Sequence, residues 1–268
     1  MQKLYSLQQN LKPSPLMPVL FVGHGNPMNA ILDNDITRSW QKVGKQLPDA
    51  QAIVVISAHW LTRGTRITDA PKQPIIYDVY GFPDELYQTK YDAKGDPELA
   101  KILQAAFVKY EAKLDSTWGL DHGTWSILKH IAPEPKVPVL QISLDVNQTL
   151  AQVVEMFSEL KRMRERGVIF IGSGNLVHNL RMLDFNNRVF DWAEEFDKVA
   201  ATHMSGHDLK GLTNPRSMTK TAMYAVEMDD HYRPMLAVMA LLSGREEIAY
   251  FNDNIDMGSI SMRSFITV

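Results

Sequence analysis

The chain has 268 residues, 45% apolar and 22% charged, which is enough apolar material to bury a core without cross-links. A net charge of −3 gives no electrostatic reason to expect nucleic acid or an anionic membrane as partner. There is no cysteine, so disulfides, thiolate metal sites and iron–sulfur clusters are excluded, and His, Asp and Glu are left as metal ligands.

The opening segment MQKLYSLQQNLKPSPLMP has no apolar stretch of signal-peptide length. The late apolar run Met235 to Leu242 is too short to span a bilayer, so a cytoplasmic location is expected. In chain order, Pro18–Val22 predicts a buried strand, Asp35 to Gln46 a helix and Ala52–Ile56 a second strand. From Thr62 to Lys94, with four tyrosines and three prolines, the chain reads as an irregular excursion able to wall a pocket. A helix follows from Pro97 to Tyr110, with Asp96 as its N-cap and Pro97 at its first position. Further helices are predicted at Gly123 to Ile131, Thr149 to Arg164, Arg188 to Met204 and Asp230 to Leu242. Val137–Ile142 and Val168–Ile171 predict two more strands, and Ser259 to Phe265 alternates as a half-buried strand does. Continuous apolar strands suit a sheet covered on both faces. The fold expected is therefore an α/β sandwich with a mainly parallel central sheet and helices on both faces. No repeat, linker or charge shift divides the chain, so residues 1–268 read as a single domain.

The chemistry lies at the strand ends. The first strand runs into Gly23-His24-Gly25-Asn26, the second into Ser57-Ala58-His59-Trp60, and the Val168 strand into Gly172-Ser173-Gly174-Asn175-Leu176-Val177-His178. Open parallel sheets bind ligands beyond the carboxyl ends of their strands. His24, His59 and His178 therefore share one edge, and the glycines beside His24 leave room for a metal. The turn Gly172–Asn175 has an alternative use as a phosphate cradle, although it lacks the dinucleotide and P-loop patterns. His122, in Asp121-His122-Gly123, opens a helix, where a neutral imidazole can donate or receive a proton. His231 opens another, with Glu227, Asp229 and Asp230 nearby. His130, His203 and His207 have no glycine context and read as solvated or core-satisfied side chains.

Several segments, in order, give these motifs a common origin: GHGNPMNAI at 23–31, SAHW at 57–60, YDVYGFPDELYQTKY at 77–91 and GDPELA at 95–100. They continue with WGLDHGTWSILKHI at 118–131, PVLQISLD at 138–145 and GSGNLVHNL at 172–180. The chain resembles the 4,5-DOPA extradiol dioxygenase family, a branch of the class III (LigB-type) ring-cleaving dioxygenases. That resemblance implies one non-haem divalent metal held by His24, His59 and His231. It implies that His178 lies beside the metal as an acid–base group or a fourth ligand, and that His122 faces the substrate. Fe²⁺ is the expected functional metal and Zn²⁺ the ion a purified sample would also hold; the partners implied are a small-molecule catechol and O₂. The chain departs from the family's usual His-Pro-x-x-[Glu/Asp]-His-x-x-Pro stretch, because Val226-Glu227 stands where His-Pro is common. Glu227 or Asp230 is thus a candidate to replace or supplement His231, since two His and a carboxylate form the commoner Fe²⁺ triad. Arg233 and the tyrosines of 77–91 are candidates to engage a carboxylate or amino-acid tail, the tyrosines equally as packing residues. Two alternatives share the residues: a zinc-dependent hydrolase, and a non-enzymatic, Memo-like binding protein on the same fold.

Overall fold

The β-branched apolar runs assemble the centre of a six-stranded sheet. A computed structural model describes residues 11–186, 188–244 and 246–268; the first ten residues of the opening segment read above for a targeting signal lie outside these. The strands are β1 (Val19–Gly23), β2 (Ala52–Ser57), β3 (Val139–Gln141), β4 (Val168–Gly174), β5 (Ile248–Phe251) and β6 (Ser264–Thr267). Their order across the sheet is β5-β6-β1-β4-β2-β3. β1, β4, β2 and β3 are mutually parallel; beyond β1, β6 pairs antiparallel with β1 and β5 pairs antiparallel with β6. The mainly parallel sheet is therefore as expected, with an antiparallel margin.

Every residue of β1, β2 and β4 is buried, and successive residues serve opposite layers. Val19, Phe21, Val54 and Phe170 pack with α2 (Pro97–Ala106), α4 (Leu150–Ser158), α5 (Asp191–Ser205) and α6 (Arg233–Met239). Leu20, Val22, Ile53 and Ile171 pack on the other face with α1 (Asp35–Gly44) and α3 (His122–Ile131). Both faces are dry, which is why these strands show no polar alternation; each large side chain so buried contributes roughly 1.5–3 kcal/mol.

Caps set the helix starts. Asp96 accepts from the backbone of Glu98 and Leu99, and Asn34 forms a capping box with Thr37. Asp121 caps α3 through Thr124 and makes His122 its first residue.

The helix expected from Pro97 to Tyr110 ends at Ala106 before a tighter turn over Val108–Tyr110, the helix expected from Arg188 begins at Asp191, and three further elements differ from the sequence reading. The helix from Thr149 ends at Ser158 and resumes as a tighter turn over Lys161–Arg166. That turn carries the Arg164 guanidinium inward to the carbonyls of Met17 and Leu241. The helix expected from Asp230 begins only at Arg233, since Asp229–Tyr232 form a turn. The tail strand divides in two: Ile260–Ser261 runs beside Val177 and His178, and only Ser264–Thr267 enters the central sheet. Alternation along the chain cannot distinguish those two partners. Among the described residues no helix is long and apolar enough to cross a membrane.

Candidate metal centre

Parallel strands end together, and β4 lies between β1 and β2 in the sheet. His24 directly follows β1; its backbone N–H donates to the Gly174 carbonyl at 3.2 Å, extending the ladder by one step. His59 follows β2 across β4, and the two Nε2 atoms stand 3.1 Å apart. The third imidazole, His231, arrives from the turn before α6. Its carbonyl accepts from Asn175 N–H at 2.9 Å, and a Cβ on Gly174 would lie 2.2 Å from that same oxygen. Gly174 thus serves the close approach of His231 to the sheet, a steric role in place of a phosphate cradle. His24, His59 and His231 each offer one ring nitrogen, and these atoms lie within 4.8 Å of one another.

The other two candidate histidines join them. The His178 ring lies flat on that of His231, with centroids 3.5 Å apart and planes 6° apart. The His122 ring lies 3.8 Å from that of His59. Asp78 pins His122 through both its backbone N–H and its Nδ1, each at 2.8 Å. The remaining histidines are satisfied elsewhere: His130 by the Asn29 carbonyl, His203 by Asp208 and His207 by the Glu246 carbonyl. The glycines flanking His24 make room chiefly for Met262, whose backbone would lie 2.8 Å from a Cβ on Gly23.

Burial favours the neutral form of His24, His59 and His178. Burial, reinforced by His231 and its neighbours, holds His24 well below the usual histidine range. Burial, then the nearby His122, does the same to His59. His178 is lowered to about 3 by burial and by His231, while Asp230 favours its charged form. Burial alone would raise the Asp230 carboxyl, but His231 holds it down at about 2.

Ring orientation is fixed from behind. The Ser173 hydroxyl lies 2.5 Å from the Gly123 carbonyl, which can only accept, so the hydroxyl donates there. It therefore accepts from His24 Nδ1 at 3.0 Å, which leaves the His24 lone pair on Nε2, facing His59. Among the described residues neither ring nitrogen of buried His231 has a hydrogen bond; Asp230 Oδ1 is 3.2 Å from Nδ1 but out of line. Such an orphaned buried group costs about 1–3 kcal/mol. Lone pairs converging between buried imidazoles, one ring unpartnered and one carboxylate alongside, form a donor set that fits a divalent cation.

These histidines form the floor of a cavity of about 630 Å³, the size range of small-molecule sites. Val79 and Phe82 of the irregular segment wall it together with Leu183 and Ile260. Three candidate assignments give way here. Arg233 is 7% exposed, bound to both oxygens of Asp229 and to the carbonyls of Asp145 and Gln148, so it is a structural cation outside the cavity. Glu227 lies at the mouth and pairs with Arg181 at 2.6 Å, apart from the three converging rings. None of the four tyrosines lines the cavity; the hydroxyls of Tyr77, Tyr87 and Tyr91 bond backbone carbonyls.

Asp78, Ser173 and Arg181 were not singled out by sequence. Asp78 sits inside the tyrosine-rich motif and Ser173 between two glycines, so local signals existed, but their partners lie far along the chain.

Comparison with known proteins agrees with this architecture. Residues 17–259 match the family described as the catalytic LigB subunit of aromatic ring-opening dioxygenase. The chain is 38% identical to a 4,5-DOPA dioxygenase extradiol of Escherichia coli (strain K12), over 94% of each chain. It is 34% identical to a protein of the same name from Portulaca grandiflora, over 91% of this chain and 93% of that one. A crystal structure of an uncharacterized protein from Escherichia coli K12 superposes with a TM-score of 0.82 at 36% identity, covering 93% of this chain and 99% of the other. By sequence and by fold, the chain belongs to the LigB family of aromatic ring-opening dioxygenases and is an extradiol dioxygenase, an oxidoreductase.

Proposed function

We propose that residues 1–268 act as one catalytic domain that opens a catechol such as DOPA by 4,5-extradiol cleavage. His24, His59 and His231 hold one divalent metal, and His178 and His122 handle protons. The observation that carries the reading is the convergence of three imidazole nitrogens, within 4.8 Å, on the floor of a small-molecule cavity. The overall reaction needs no outside reductant: the ring bond beside one hydroxyl-bearing carbon breaks, and the two atoms of O₂ complete a carboxylate and an aldehyde. Bound there, a redox-active ion such as Fe²⁺ supplies coordination positions and an electron path between a catecholate and O₂. Three imidazoles suit Zn²⁺ as well, so purified protein is expected to carry some zinc.

The protein's own groups do the remainder. The apolar walls formed by Val79, Phe82 and Ile260 seat the aromatic ring and displace water. His178, neutral at pH 7, accepts a proton from a substrate hydroxyl, and Asp230 compensates the charge it acquires. His122 is the second proton station. Asp78 accepts from its Nδ1 and so directs Nε2 away from that contact, able to receive a hydroxyl proton and return it.

The test is to strip the metal, reload anaerobically with Fe²⁺ or Zn²⁺, add L-DOPA or catechol and admit O₂. Fe²⁺-dependent oxygen uptake with a yellow ring-opened product, lost in His59→Ala, is the expected result. No uptake across a catechol panel, with iron shown to be bound, would overturn the reading and favour zinc-dependent hydrolysis or ligand binding.

A further inference from the structure

Charges at the cavity are few, and they are unevenly committed. Among the described residues lining it, Arg181 is the single permanent cation, and Glu227 and Asp230 are the carboxylates. Asp230 lies against His231. Arg181 sits in the short turn Leu180–Met182, fixed at its backbone by the Asn179 side chain at 3.1 Å. Its guanidinium makes one contact among the described residues, Nη1 to Glu227 Oε1 at 2.6 Å, and its side chain is 82% exposed. The buried arginines differ: Arg164 and Arg233 each engage a carboxylate and two backbone carbonyls. An exposed single pair stabilises a fold by little, so stability does not account for Arg181. What the pair achieves is position. Glu227 holds the guanidinium at the mouth while Nε and Nη2 remain open, and a guanidinium with two free donors matches a carboxylate. Leu180 and Met228, both exposed, flank it with an apolar surface suited to the stem of a substituent.

We propose that Arg181, held by Glu227, binds a carboxylate on the side chain of the substrate and makes the enzyme selective for catechols with an anionic tail. The inference rests on the ring-cleaving reading above and deepens it. Glu227 belongs to the Val226-Glu227 pair at which the chain departs from the family pattern, so the clamp is built from this sequence's own residues. A catechol whose tail carries only an amine leaves the guanidinium without a substrate partner, and an unsubstituted catechol never reaches it.

The experiment compares Fe²⁺-loaded wild type, Arg181→Gln and Arg181→Lys with four probes: L-DOPA, 3,4-dihydroxyphenylpropionate, dopamine and catechol. Anaerobic calorimetry gives Kd, and oxygen uptake gives KM and kcat. Arg181→Gln is expected to weaken binding of the two carboxylate-bearing probes about tenfold and to raise their KM to match. Binding of dopamine and catechol, and kcat throughout, should hold within about twofold, and Arg181→Lys should recover part of the loss. Equal weakening of all four probes, or of none, overturns the proposal. A wild type that cleaves none of them yet binds the carboxylate pair through Arg181 upholds the clamp and removes the ring-cleaving reading instead.

Discussion

Ser173 governs which nitrogen of His24 is free, although it does not itself face the cavity. Its hydroxyl is fully buried between the Gly123 carbonyl at 2.5 Å and His24 Nδ1 at 3.0 Å, and His24 is 2% exposed. Ser173→Ala removes the acceptor of the Nδ1 proton. The ring must then bury an unsatisfied donor, at a cost of about 1–3 kcal/mol, or move the proton to Nε2, where it blocks ligation. Both routes weaken metal binding, and groups that support a ligand histidine typically contribute 10–100-fold in affinity. We therefore expect Ser173→Ala to raise the metal Kd roughly 10–100-fold, measured by competition with a chromophoric chelator, while far-UV circular dichroism stays unchanged. Ser126→Ala is the control: that buried hydroxyl has no partner among the described residues, so its removal should be neutral or stabilising and leave metal affinity intact. Wild-type metal affinity in Ser173→Ala would refute both the tautomer argument and the assignment of His24 as a ligand through Nε2.

Other outcomes follow from the same geometry. His178→Ala should lower kcat by ~10²–10⁴ with metal stoichiometry intact; loss of the metal would show that His178 is a fourth ligand instead. Asp78→Asn replaces one acceptor of the His122 pair with a donor and should lower kcat on the order of 100-fold, and an unchanged kcat would detach His122 from proton transfer. Away from the site, Arg164 holds the Glu246 carboxyl below its ordinary value of 4.5, although burial alone would raise it. A lowered folded-state pKa contributes stability that is fully present above the unfolded value and is lost as pH falls through the folded one. Arg164→Met should therefore cost about 3 kcal/mol at pH 7 and flatten the acid limb of a Tm-against-pH curve; an unchanged acid limb would show that the pair is not its source.

The sheet was legible in the order of residues, because a strand buried on both faces must be apolar throughout, and the runs at Val19, Ala52, Val139 and Val168 could serve little else. The sequence also determined that His24 and His59 share an edge, since both follow parallel strands and parallel strands end together. Asp96 and Asp121 announced their helices through local capping chemistry. The family motifs named five histidines, and the fold gathers all five around one cavity. Contacts between distant segments were settled only in three dimensions. The turn Gly172–Asn175 keeps a phosphate cradle as an alternative until the turn before α6 places the His231 carbonyl against Gly174. Arg233 and Arg181 are alike as letters, yet one is buried against Asp229 and the other stands at the cavity mouth beside Glu227. Ser173, Asp78 and Arg181 draw their roles from a carbonyl, an imidazole and a carboxylate far along the chain. Local propensity carries no trace of such pairings, because they arise only when helices and loops pack onto the sheet.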